Sequence, residues 1–143
     1  MAHYVCTVRT TRSPDDVFAY LADLRNFAEW DPGVTQVVQV EGEGGGPDTV
    51  YDVTVASPGP DLTLRYRTVE YGPSHNLLVV AKSRSFTSTD RITIHVDGDD
   101  TVVTYDADLQ LNGVLRVGEP GLRLAFKRIG DRAAAGLRRA LGG

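Results

Sequence analysis

The sequence predicts an α+β fold: a curved antiparallel seven-stranded sheet, two short helices after the first strand, and one long C-terminal helix across the concave face. Three observations predict it. Between residues 35 and 112, apolar and polar residues alternate at period two in run after run, and short turns rich in Gly, Pro, Asn or Asp close each run. Helical signals bracket that body, at Ser13-Pro14-Asp15-Asp16 and again after Gly118. No segment between successive strands has the length of a parallel crossover.

Each element follows in order. The first strand lies near residues 3–11, where Tyr4, Cys6 and Val8 alternate with Val5, Thr7 and Arg9. Ser13 then supplies a capping hydroxyl, Pro14 a missing N–H that costs nothing in a first turn, and Asp15 and Asp16 negative charge beside the positive helix end. Val17, Phe18, Tyr20, Leu21 and Leu24 give this helix its apolar stripe. A second short helix over about 25–30 carries Phe27 and Trp30 and is broken by Asp31-Pro32-Gly33. Strands follow at 35–41, 49–56, 62–71 and 76–83, and two longer ones at about 87–96 and 101–112 flank the turn Asp97-Gly98-Asp99-Asp100. After Gly118, the residues Leu122, Phe126, Ile129, Ala133, Leu137 and Leu141 recur at helical spacing behind Pro120. Gly130 and Gly136 interrupt this helix, and each is expected to mark either close approach of a neighbour or a place where the helix flexes.

The chain has 143 residues, 41% hydrophobic and 24% charged, which suits one domain with one core. Its single cysteine, Cys6, cannot close an internal disulfide, and no paired Cys/His spacing points to structural zinc. No metal site is expected, because the histidines and carboxylates show no convergent spacing. No cofactor-binding motif stands out either. The opening residues lack a basic and then apolar leader pattern, and no apolar run approaches the roughly 20 residues that span a bilayer. A cytoplasmic protein is expected.

The formal charge of −4 is unevenly spread: residues 119–143 carry +4 and residues 1–118 carry −8. An acidic body argues against nucleic acid as a partner. The basic terminal helix reads as a solvated face, or as a surface for transient contact with an anionic membrane or an acidic protein.

Strand parity identifies the inward groups. Val103, Tyr105, Ala107, Leu109 and Leu111 share one face, as do Ser88, Asp90, Ile92, Ile94 and Val96. The same reasoning turns Tyr51, Val53 and Val55 inward, with Leu62, Leu64, Tyr66 and Thr68, and then Leu77, Val79, Ala81 and Ser83. Three inward tyrosines and an aspartate need partners. Either they satisfy one another and the backbone, or they line a space that holds water or a ligand.

The order of elements resembles the START-like helix-grip superfamily, also called SRPBCC, and most closely the polyketide cyclase/dehydrase and lipid-transport family. The resemblance is carried by Ser13-Pro14-Asp15-Asp16-Val17-Phe18 and by Asn26-Phe27-Ala28-Glu29-Trp30-Asp31-Pro32-Gly33-Val34. Leu64-Arg65-Tyr66-Arg67 and Thr101-Val102-Val103-Thr104-Tyr105 add to it. It implies a hydrophobic cavity between the concave face and the long helix. Trp30 would stand near its mouth or anchor the second helix in the core, and Leu122, Phe126 and Ile129 would form its lid.

Members that look like this include aromatase/cyclases, lipid and steroid carriers and quinone-binding proteins, so the lining decides the use. The leading expectation is a binder of a small hydrophobic molecule such as a lipid, polyketide or isoprenoid. Polar parts of the ligand would meet Tyr51, Tyr66, Tyr105 and Asp90, and apolar parts Leu64, Val79, Ile92, Leu109 and Phe126. A ligand site of this kind ordinarily offers roughly 300–1,000 Å³. The alternative is a cyclase- or dehydratase-like enzyme with Asp90 as base and Tyr66 or Tyr105 as proton donor to a developing enolate. His3, His75 and His95 fall on outward faces, ends or turns, and no nucleophile–base motif is present.

Overall fold

The computed structural model describes residues 2–56, 60–83, 86–111 and 119–142, and in the last segment the side chains from 125 onward. Seven strands, β1 (Ala2–Thr10), β2 (Val34–Glu41), β3 (Val50–Val55), β4 (Leu62–Gly72), β5 (Asn76–Lys82), β6 (Phe86–Asp97) and β7 (Asp100–Leu111), form one antiparallel sheet. Their order is β1-β7-β6-β5-β4-β3-β2, a meander from β2 to β7 that β1 joins at the far edge. The helices are α1 (Pro14–Ala22), α2 (Phe27–Trp30) and α3 (Glu119–Leu141). The single second helix expected from sequence is divided: a 3-10 turn, Leu24–Asn26, precedes a one-turn α2. Asp23 causes the division, since its carboxylate caps the 3-10 turn through the Arg25 N–H, 3.1 Å away.

Ser13 caps α1 by accepting from the Asp16 N–H at 3.1 Å, with Pro14 and two carboxylates in the first turn. Val17, Phe18, Leu21 and Ala22 are the buried face of α1. They meet the concave side of the sheet, where Val53, Leu77, Val79, Ile92, Ile94 and Val103 are buried. Three strand residues expected inside are not: Leu62 is 51% and Val96 62% exposed, and Ser83 is exposed as well. Leu62 is the first residue of β4, Val96 the last but one of β6 and Ser83 the residue just after β5, so none has a same-face neighbour on both sides within its strand to enclose it.

Among the described residues, α3 is fastened to β1 and α2. Tyr4 donates to Asp131 Oδ1 at 2.7 Å, and Thr10 donates to the Leu141 carbonyl at 2.7 Å, which satisfies one of the terminal acceptors of the helix. Ala134, Leu137 and Leu141 are buried. The two glycines of α3 mark close approach: a Cβ at 136 would collide with the carbonyl of Trp30, and one at 130 with the ring of Tyr4. No helix is long and apolar enough to cross a membrane among the described residues.

Candidate functional site

Antiparallel register lays the concave face out in rows. One row crosses Tyr51, Tyr66, Ala81, Ser88 and Leu109; the next crosses Thr68, Val79, Asp90 and Ala107; a third crosses Leu77, Ile92 and Tyr105. Neighbouring rows bring Asp90, Tyr105, Tyr66 and Ser88 together in the middle of an apolar surface. Tyr105 donates its phenolic hydrogen to Asp90 Oδ2 at 2.6 Å, and Tyr66 Oη and Ser88 Oγ share a hydrogen bond at 2.7 Å. All four are buried.

Burial decides the electrostatics. Removing the carboxylate from water pushes Asp90 up to about 7, only partly opposed by the Tyr105 hydroxyl, and Asp31, Asp108 and Asp106 push the same way. Burial likewise lifts Tyr66 and Tyr105 well above the ordinary phenol range, with the Asp90 charge adding to it. Asp90 therefore titrates near neutrality, where a general base or a proton-dependent contact is useful, while both phenols stay protonated.

Asp31 belongs to this group although strand parity could not find it, because it stands in the turn after α2. Its carboxylate accepts from the Gly33 N–H at 2.9 Å. Burial raises its pKa, the Gly33 N–H lowers it, and its charge is felt by Asp90, Tyr66 and Tyr105.

Trp30 is a core anchor, 6% exposed, stacked on Phe27 at 4.7 Å between ring centroids and edge-on to Tyr105 at 5.6 Å. It does not stand at an open mouth. Val79 and Ile92 are buried beside it, while Leu64, Leu109 and Phe126 are half-buried. Tyr51 is buried opposite Tyr66, but its hydroxyl is directed away from the Asp90 group and donates to the Gly44 carbonyl in the β2–β3 turn. Ile129 does not close over the face: it is 49% exposed. Ala133, Ala134 and Leu137 set the side of α3 that packs inward, and at 3.6 residues per turn position 129 points about 80° away from Leu137. The Leu122 side chain lies outside the described residues.

Among the described residues, the space beneath α2 is tighter than the sequence led us to expect. Leu21, Leu24, Phe27, Trp30, Leu77, Val79, Ile92 and Tyr105 enclose about 10 Å³, room for about one water and far below the usual ligand-site volume. Among the described residues, every fully buried polar side-chain atom has a hydrogen-bond partner. The inward polar groups thus satisfy one another and the backbone in this closed arrangement. Separately, an outer groove of about 350 Å³ runs past Arg12, Tyr20, Glu29 and Arg139.

One grouping of a histidine with carboxylates does not show in the spacing along the chain. His3, Asp106 and Asp108 do converge, on the outer face of β1 and β7, with ligand atoms within 4.8 Å of one another. Cross-strand register places His3 opposite Asp108 and diagonal to Asp106, a proximity that spacing along the chain cannot reveal. His3 Nε2 lies 2.6 Å from Asp106 Oδ1, and that contact raises the histidine pKa.

Comparison with known proteins agrees with this architecture. The sequence profile described as polyketide cyclase / dehydrase and lipid transport matches residues 1–142. A START superfamily protein from Mycobacterium smegmatis superposes with a TM-score of 0.79 at 14% identity, covering 99% of this chain and 98% of that one. The Zhui aromatase/cyclase from Streptomyces sp. R1128 gives 0.74 at 17% identity over 97% of this chain and 90% of that one. The di-domain ARO/CYC BexL from the BE-7585A biosynthetic pathway gives 0.74 at 16% identity, and this chain covers half of it. No curated protein matches the sequence. At these identities the structural likeness is one of fold.

Proposed function

The chain belongs to the polyketide cyclase / dehydrase and lipid transport family, and from that membership we propose that it binds a small hydrophobic molecule against the concave face of its sheet. The observation that carries this reading is Asp90, a buried carboxylate hydrogen-bonded to Tyr105 among Val79, Ile92 and Ala107. A core built only for stability gains nothing from a carboxylate there, since an apolar side chain of similar volume avoids its desolvation. Groups of this kind are ordinarily kept for recognition or chemistry.

The enclosed space of about 10 Å³ sets a condition on this reading. For a ligand to enter this space, the α2 side of it, Leu24, Phe27 and Trp30, has to separate from Leu77, Val79, Ile92 and Tyr105. This space then opens around its guest, with apolar contact replacing apolar contact. Native mass spectrometry of protein purified without detergent, followed by solvent extraction, is expected to reveal a retained apolar molecule. An empty protein whose Trp30 fluorescence is also indifferent to long-chain alcohols, amines and carboxylates would refute the reading.

A second reading, an acid–base enzyme acting on a polyketide-like substrate, is favoured by the Asp90 pKa of about 7. The hydrogen bonds constrain the roles. While Asp90 is ionised, Tyr105 has its hydrogen committed to it, so Tyr66 or its partner Ser88 is the group free to donate toward an enolate. Asp90→Asn is expected to abolish turnover of a poly-β-ketone substrate while leaving the fold intact. Turnover at the wild-type rate would remove Asp90 from the chemistry.

A further inference from the structure

Taking the concave face as a ligand site, as proposed above, we infer that its preferred ligand is a hydrophobic amine: an ammonium nitrogen on an apolar body, seated among the Phe27, Trp30 and Tyr105 rings with Asp90 as counter-charge. Three aromatic rings border the same space. Phe27 stacks on Trp30 at 4.7 Å, and Trp30 meets Tyr105 edge-on at 5.6 Å with 71° between the rings, so opening the pocket exposes ring faces in two orientations. Such surfaces attract cations, most strongly where water is excluded. Asp90 stands at the hydroxyl end of the third ring, 2.6 Å from Tyr105 Oη.

The sign of the surrounding charge selects the headgroup. The charged groups that act on Asp90 are Asp31 from the turn after α2, and Asp106 and Asp108 from β7. Asp31 also acts on Tyr66 of β4 and Tyr105 of β7, and Ser88 of β6 is neutral. Among the described residues no lysine, arginine or histidine is buried, and none acts on Asp90, Tyr66 or Tyr105. A fatty carboxylate would bring a like charge into this field. A neutral alcohol or ketone would leave Asp90 without a counter-ion. An ammonium group supplies the counter-ion and three donors at once. The charge of −8 on residues 1–118 draws cations toward the same body at longer range.

The test compares three ligands with one tail. n-Decylamine, n-decanol and n-decanoate are titrated at pH 8, where Asp90, at about 7, is largely ionised and an alkylamine, near the lysine value of about 10.4, is protonated. The fluorescence of Trp30, the only tryptophan in the chain, reports occupancy, and calorimetry gives Kd. The amine is expected to bind at least about tenfold tighter than either partner, as one desolvated cation–π and ion-pair contact would give. Asp90→Asn is expected to bring the three within about threefold, whereas Tyr105→Phe, which keeps the carboxylate, preserves the order. Equal binding of all three, or tighter binding of decanoate, overturns the amine preference and leaves the hydrophobic site standing. No binding by any of them overturns both.

Discussion

Asp90→Asn is expected to stabilise the protein at pH 8 and to leave it almost unchanged at pH 4. In the folded chain burial moves this carboxyl from 3.8 to about 7. Between those values the folded chain holds a proton that the unfolded chain has released, so the contribution of Asp90 to stability falls as pH rises through that window and is lost above it. The full separation corresponds to about 4 kcal/mol, an upper bound because an opening core admits water. Asparagine carries no charge at any pH and keeps an oxygen to accept from Tyr105. Urea unfolding of both proteins from pH 4 to 8 should therefore show a gap that opens steadily in favour of the variant. A gap independent of pH would mean that Asp90 is not titrating in the fold. The comparison with the variant isolates this residue from Asp23, Asp52, Glu70 and Asp97, whose pKa values are lowered by arginine partners and whose contributions run the opposite way.

Gly136→Ala is expected to destabilise by about 3 kcal/mol or more, the upper range for overpacking, where helix propensity alone would predict a gain of about 1 kcal/mol. The added methyl would fall on the carbonyl of Trp30, and backbone cannot rotate aside as a side chain can. Either α3 lifts from α2 or Trp30 shifts from Phe27 and Tyr105, so the loss should be accompanied by a change in Trp30 emission. Gly130→Ala should cost less, about 1–2 kcal/mol, because it meets the Tyr4 ring, which can tilt within the limit of its bond to Asp131. A Gly136→Ala protein as stable as the wild type would disprove the close approach.

These residues also show how far the sequence could be read. Period-two alternation identified Ser88, Asp90, Ile92 and Tyr105 as one inward face, because a buried strand face obliges every second side chain to turn the same way. Asp31 escaped that logic: a turn has no parity, and only the folding of α2 over the sheet carries its charge toward Asp90. Gly130 and Gly136 were visible as anomalies of the helix, but whether they signified flexibility or contact depends on what faces them. The same holds for His3, whose neighbours Asp106 and Asp108 are set by the β1–β7 register. Strand ends such as Leu62 and Val96 kept the alternation while leaving the core, since pattern records orientation and not enclosure. Packing density left no trace in the pattern at all: a face lined by Leu77, Val79, Ile92 and Tyr105 serves equally for a cavity and for the nearly closed space found beneath α2.

The placement of β1 beside β7 also dictates the order of assembly. Each pairing from β2 to β7 joins neighbours in sequence and forms by closing a short hairpin, whereas the contact of His3 with Asp106 spans 103 positions. Loop-closure entropy makes that last ladder the slowest to nucleate. During synthesis the first strand leaves the ribosome roughly 5 to 20 seconds before its partner exists, at about 5–20 residues per second. For that interval its apolar side, Tyr4, Cys6 and Val8, has no sheet to join. The N-terminal strand is therefore the last to be secured in the sheet.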